Sequence, residues 1–267
     1  MKYPQGVAKP SWKLTLYCYR GDQEMRALAL VYGVLAYVIF LATFLYAVGF
    51  VADVLVSPSI DRGGQETALP QAVLINALLL GLFAIQHSIM ARRGFKKWWT
   101  KTVPWAVERS TFVLVSSLLL ILLFWQWRPL PSMVWEVDNS AGRLVLQAAF
   151  WLGWVIVLWS TFMIDHFELF GLKQVFLHWR GQPLQAPAFK TTGLYRYIRH
   201  PIMLGFLIAF WATPTMTVGH LLFAAATTVW VLIAIKIEER DLVEFHGEQY
   251  RQYQQRVPML IPMPRGR

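Results

Sequence analysis

Two stretches near the C-terminus combine residue types that can do chemistry. The first runs Gly193-Leu194-Tyr195-Arg196-Tyr197-Ile198-Arg199-His200-Pro201 and continues through Ile202-Met203-Leu204-Gly205. Proline suits the first position of a helix, so a helix is expected to start at Pro201, with His200 at its cap and unpaired backbone N–H groups at its mouth. Such an end favours an anion, a carboxylate included. Gly205, one turn on, lets a planar group or a neighbouring backbone approach closely. The second stretch is Lys236-Ile237-Glu238-Glu239-Arg240-Asp241-Leu242, continuing through Gly247 and Tyr250 to Tyr253. Glu238 shares a helical face with Asp241 and with Leu242. A solvated, salt-bridged helix end is the plainer reading of these glutamates taken alone.

Three more polar groups interrupt apolar surroundings: Gln86-His87-Ser88 with Met90, Glu108-Arg109-Ser110, and Asp165-His166-Phe167-Glu168. Ionisable groups at membrane depth are expensive and usually face a bundle interior or a wet cavity. Histidine is the side chain that exchanges protons near neutrality, so His166, with Asp165 to orient it, is the first candidate base and His87 the second. Each also has a structural alternative. Gln86 and His87 can bond headgroups or a neighbouring helix. Asp165 sits where the helix dipole disfavours a carboxylate, and it can pair with Arg109 or Lys173 instead. Asn76 reads as an interhelical hydrogen-bonding residue. Trp98, Trp99, Trp105, Trp125, Trp127 and Trp135 read as interfacial belts. Cys18 is the lone cysteine, which excludes a disulfide within the chain. No Walker or Rossmann glycine pattern and no cysteine-histidine zinc spacing occurs, so no metal is expected.

The elements that carry these groups follow from composition. Of 267 residues, 56% are hydrophobic and only 15% charged, which is not a soluble balance. Runs without Asp, Glu, Lys or Arg cover 27–52, 68–91, 110–127, 144–164 and 201–235, and a span needs about 20 apolar residues. The last run is too long for one helix and too short for two full spans. Thr213-Pro214 breaks it, predicting a helical hairpin with arms of about 14 to 18 residues. The expected fold is therefore all-α: a polytopic helix bundle of four spans plus a C-terminal hairpin. Residues 1–26 form an N-terminal segment, 27–165 the four-span bundle, and 166–267 the loop, hairpin and tail. All but three of the 25 basic residues, Arg62, Arg128 and Arg143, fall on one side, which predicts both termini in the cytoplasm. The formal charge of +10 then reads as topology and contact with anionic membrane lipids, not as nucleic-acid binding. The two arms of a hairpin are adjacent, so Arg199-His200 and Glu238-Glu239 must meet at one membrane edge.

The pattern G-x-Y-x-x-x-R-H-P-x-x-x-G, followed by E-E-x-x-L and G-x-x-Y-x-x-Y, resembles the membrane methyltransferases of the isoprenylcysteine carboxyl methyltransferase and phospholipid methyltransferase type. Gln86-His87-Ser88-Ile89-Met90-Ala91-Arg92, Trp125-Gln126-Trp127-Arg128-Pro129-Leu130 and Asp165-His166-Phe167-Glu168-Leu169-Phe170-Gly171-Leu172 are similar to segments of the bacterial methanethiol S-methyltransferases. The resemblance implies S-adenosyl-L-methionine as cofactor and a small apolar thiol as acceptor, giving dimethyl sulfide. It implies an inner-membrane enzyme with its site facing the cytoplasm and needing no obligate protein partner. Tyr195, Arg199, His200, Pro201, Met203, Gly205, Glu238 and Glu239 would bind the cofactor. Either glutamate would hold its ammonium, and Arg199 with the helix start its carboxylate. The family often has tyrosine where this chain has Met203. Gln86, Met90 and Glu168 would line the acceptor side, with His166 as base, or with the thiol ionised before entry. Carboxyl or phospholipid methylation, a sterol-reductase-like activity and a non-enzymatic membrane role are the alternatives.

Overall fold

In the computed structural model the described residues are 12–184, 189 and 191–261, with side chains from residue 22. The side chain of Cys18, and Pro187 in the polar stretch before the first motif, lie outside them.

Five helices among the described residues are long and apolar enough to cross a membrane. They are α1 (Trp12–Ala52, apolar from Asp22), α2 (Leu69–Ala91), α4 (Trp105–Gln126), α5 (Ser140–Ile164) and α9 (Val218–His246). Shorter helices join them: α3 (Arg93–Trp99), α6 (His166–Leu169), α7 (Leu172–Trp179), α8 (Pro201–Trp211) and α10 (Glu248–Arg256). Leu74, Leu78, Leu82, Ile85 and Ile89 recur at helical spacing on α2 and are all exposed. In a chain of this hydropathy such a stripe faces lipid, where leucine has no reason to hide.

Inside, aromatic packing dominates. Phe50, Phe124, Trp127, Phe150, Trp154, Phe210 and Phe223 form one buried cluster drawn from α1, α4, α5, α8 and α9. Trp127 departs from the interfacial role expected of it. It is fully buried and donates from Nε1 to the Ile60 carbonyl at 2.9 Å. Asn76 spends both ends of its amide on residue 128, donating to its carbonyl at 2.7 Å and accepting from its N–H at 2.9 Å.

The 201–235 run does break where expected, but unevenly: α8 has 11 residues and α9 has 29. At 1.5 Å per residue α8 reaches only roughly 16 Å, about half a bilayer core. Helix α9 instead runs past Glu238 and Glu239 and stops at Gly247 (φ +59°), a conformation that disfavours side chains. Between the arms, β2 (Thr215–Thr217) pairs antiparallel with β1 (Met133–Glu136), a two-stranded element the all-α reading did not anticipate. Thr217 then caps α9, accepting from His220 N at 3.0 Å.

Helices α5 and α8 cross in near backbone contact. A Cβ on Gly205 would lie 2.7 Å from the Gly153 carbonyl, and a Cβ on Gly153 would lie 2.7 Å from the Gly205 carbonyl. Small residues let membrane helices approach in this way, and here they seat α8 so that Pro201 and His200 face the end of α9.

Candidate active site

The polar groups found in the sequence gather at one end of the bundle, where α2, α4, α5, α8 and α9 present their termini. An ion pair of 2.9 Å between Arg92 and Asp241 ties the end of α2 to α9. Two adjacent glutamates on α9 have opposite surroundings. Glu239 is saturated: it accepts from Arg199 Nε at 2.6 Å and Nη2 at 3.2 Å, from His200 Nε2 at 2.9 Å and from Gln254 Nε2 at 2.9 Å. Arg199 is equally committed, because its Nη1 also donates to the Gln254 and Val257 carbonyls at 3.1 and 2.5 Å. The backbone joins in, with Arg199 N donating to Pro258 O and His200 N to Met259 O. The Arg199–Glu239 pair is thus a fork-to-fork lock that fixes the C-terminal segment under the start of α8.

Glu238 makes no hydrogen bond among the described residues. Among the described residues its ionic neighbour within 4 Å is His200 Nδ1, at 3.9 Å. Its side chain is 48% accessible although protein surrounds it closely, the Tyr195 phenol included. That combination leaves a carboxylate open on one side and crowded by protein on the others. Burial and the Glu238 charge push the Tyr195 phenol above its ordinary range, so it stays a neutral donor. The Tyr195 carbonyl is held by Tyr253 Oη at 2.6 Å. Burial pushes the Tyr253 phenol up to about 12.

Deeper along α9 lies an aromatic box. The His87 ring packs against Phe83 (5.4 Å), Phe112 (4.9 Å) and, edge to face, Trp230 (5.5 Å). Trp230 is positioned by its own donation to Ser88 Oγ at 3.1 Å. Ser116 reaches both Gln86 Oε1 (3.3 Å) and His87 Nδ1 (3.4 Å), and Gln86 Nε2 lies 2.9 Å from Met90 Sδ. No partner among the described residues reaches His87 Nε2. Arg109, on the same face of α4 as Phe112 and Ser116, is within electrostatic reach of His87, Glu168 and Glu238.

His166 is placed differently. Thr161 gives its hydroxyl proton to Leu158 O at 2.6 Å, so it must accept from His166 Nδ1–H at 2.8 Å. His166 Nε2 is then the acceptor for the Tyr37 hydroxyl at 2.8 Å. The ring is buried, stacked on Phe162 at 4.3 Å, and burial lowers its pKa while Asp165 opposes this. Asp165 turns the chain between α5 and α6 at φ +116° and caps Glu168 N at 3.0 Å. Its other oxygen takes Lys173 Nζ at 2.7 Å, and Glu168 takes the same ammonium at 2.6 Å. Those hydrogen bonds raise the Lys173 pKa. Of the two pairings open to Asp165 in the sequence, the structure makes the one with Lys173.

Met203 is half-buried in the first turn of α8. Pro201 and Gly205 are buried, the latter against α5, so the close approach at Gly205 is that of a neighbouring backbone. A separate open cleft of about 410 Å³ is lined by Phe189, Arg196, Gln252 and Arg256 among others, and shares Tyr253 and Val257 with the groups above. Sequence reasoning missed Trp230 and Ser116, which sit in apolar runs with nothing to mark them. It also missed Gln254, whose helix gains meaning only by folding back.

Comparison with known proteins agrees with this architecture. A family model described as phospholipid methyltransferase matches residues 144–249. The chain is 55% identical to the methanethiol S-methyltransferase of Mycobacterium tuberculosis over 90% of its length and 98% of that protein. It is 53% identical to methanethiol S-methyltransferase 1 of Bradyrhizobium diazoefficiens over 92% of its length and 86% of that protein. A Nurim homolog of Drosophila pseudoobscura is 31% identical over 72% of this chain and 77% of its own. No solved structure matches. With more than half of its residues shared across nine-tenths of its length, the chain belongs to the methanethiol S-methyltransferase family.

Proposed function

We propose that this protein methylates methanethiol, or a similarly small apolar thiol, to the corresponding sulfide, using S-adenosyl-L-methionine at the cytoplasmic edge of a bacterial inner membrane. The carrying observation is the contrast between the two glutamates: Glu239 is consumed by Arg199, His200 and Gln254, while Glu238 accepts no hydrogen bond among the described residues and is half accessible. An open carboxylate beside a neutral phenol and above an aromatic box suits a cationic amino-acid cofactor. When bound, that cofactor supplies an electrophilic methyl group on a sulfonium.

The chain's residues do the rest. Glu238 holds the ammonium. Tyr195 and the first turn of α8, from His200 through Met203, border the same space, and Arg199 and Glu239 keep that turn in position. His87 replaces His166 as the leading proton acceptor, because its Nε2 has no partner among the described residues and its ring sits within the aromatic box. His166 Nε2, by contrast, is already engaged by the Tyr37 hydroxyl. Gln86 and Met90 narrow the acceptor side, and Glu168 stands near Arg109 at its rim. Bringing a thiolate to a sulfonium turns two ions into neutral products, and a dry aromatic pocket favours that over water. A small apolar thiol can also enter directly from lipid.

Purified protein given S-adenosylmethionine and methanethiol should release dimethyl sulfide into the headspace, with S-adenosylhomocysteine in equal amount. Absence of sulfide, with labelled methyl appearing in lipid or prenyl-peptide extracts instead, would overturn the assignment.

A further inference from the structure

Arg109 is the charged group the foregoing chemistry leaves without a task. It lies in the second turn of α4, half-buried, and among the described residues it makes no hydrogen bond and no ion pair within 4.0 Å. Its contact is with the Phe112 ring, the guanidinium carbon 5.6 Å from the centroid. A guanidinium inside a membrane bundle is normally matched by a partner, because leaving it unmatched is costly. Three carboxylates are within its electrostatic reach: Glu108, Glu168 and Glu238. Two of them have other cations, since Glu168 takes Lys173 at 2.6 Å and Glu108 leans toward Lys96 at 3.9 Å. Glu238 is the third: it makes no hydrogen bond among the described residues, and its ionic neighbour, the His200 ring at 3.9 Å, carries charge only when protonated.

Two opposite charges therefore lie within electrostatic reach of each other on α4 and α9, separated by more than an ion-pair distance, with the Phe112, His87 and Trp230 rings in successive contact between the two helices. They have not collapsed onto each other, so the gap between them suits a molecule carrying both complementary charges close together. An α-amino acid end is such a molecule. We propose that Arg109 and Glu238 form a clamp for the amino-acid moiety of the methyl donor, Arg109 taking the carboxylate through its two-pronged guanidinium and Glu238 the ammonium. This rests on the cofactor reading above and changes one part of it. The carboxylate role expected of Arg199 passes to Arg109, because four of the five N–H groups of Arg199 already have protein acceptors. The planar fork matters, since lysine would offer a point charge only.

The test measures equilibrium binding of S-adenosylmethionine and of its decarboxylated analogue to detergent-purified wild type, Arg109→Gln and Arg109→Lys. Wild type should prefer the carboxylate-bearing ligand. Arg109→Gln should weaken S-adenosylmethionine on the order of 10- to 100-fold. It should leave the decarboxylated analogue unchanged, or bind it more tightly, because a cation has been removed from beside a more cationic ligand. Arg109→Lys, which keeps the charge if the glutamine variant fails to fold, should show a smaller loss with the same selectivity. Equal weakening of both ligands, or of neither, overturns the clamp while leaving the methyltransferase reading standing. Wild type that binds neither ligand and forms no sulfide removes both.

Discussion

Exchanging one oxygen for nitrogen at two adjacent positions should produce opposite phenotypes. Glu239→Gln removes the charge from a site where Arg199 and Glu239 side chains are only 10% and 13% accessible. It leaves the guanidinium, at 2.6 and 3.2 Å, facing a neutral amide, and it disturbs His200 and Gln254 at 2.9 Å each. Breaking a largely buried ion pair from one side costs about 3–5 kcal/mol. In this fold the loss releases both the C-terminal segment and the start of α8. Glu238→Gln has no such cost, because that carboxylate accepts no hydrogen bond from the described residues and is half accessible; a stability change within about 0.5 kcal/mol is expected. Its cost is in binding. A charged hydrogen bond to a ligand ammonium is worth about 1.5–3 kcal/mol, or roughly 10- to 150-fold in Kd. Thermal unfolding in detergent and isothermal titration with S-adenosylmethionine separate the two. Expected are a lowered Tm for Glu239→Gln, and an unchanged Tm with weakened binding for Glu238→Gln. The reasoning fails if Glu239→Gln keeps its Tm while losing the cofactor, or if Glu238→Gln binds like wild type.

Three shorter predictions accompany it. His87→Gln should lower kcat on the order of 10²- to 10⁴-fold with cofactor Kd unchanged; an unchanged kcat would mean that the thiol arrives already ionised. Gly205→Ala forces a methyl to 2.7 Å from the Gly153 carbonyl and 2.9 Å from Val157 N, backbone atoms that no rotamer relieves. A loss of about 1–3 kcal/mol is expected, with α8 displaced and cofactor affinity reduced; a wild-type Tm would refute the close crossing. His166 is held neutral by burial, its pKa depressed from the ordinary 6.5. The unfolded chain therefore takes up a proton first as pH falls, so the stabilisation is complete above about pH 6.5 and is lost as pH drops through the folded-state value. Melts between pH 7.5 and 5 should show this loss in wild type and a smaller one in His166→Phe. Equal slopes would remove His166 as the group responsible.

The sequence by itself determined where the spans and their break fall, because these answer to local forces. Uncharged runs announce spans, Thr213-Pro214 announces the break, and Pro201 announces the start of α8; each is a property of a few neighbouring residues. Asn76 could be read as an interhelical bonding residue for the same reason, a buried amide having few other options. What only the tertiary structure decided was pairing. Glu238 and Glu239 are indistinguishable as letters, yet one falls beneath Arg199 and the other stays half accessible, because helical geometry turns adjacent side chains about 100° apart. Charges at Lys236 to Asp241 end the apolar run, and the helix runs on through them to Gly247. Trp127 could not be told from its exposed neighbour Trp125, since only folding against Ile60 buries one of them. Arg109 looked like a partner for Asp165 until Lys173 took that place. The site is thus written in residues visible from the start, but their division of labour depends on which of them fold and ion pairing consume.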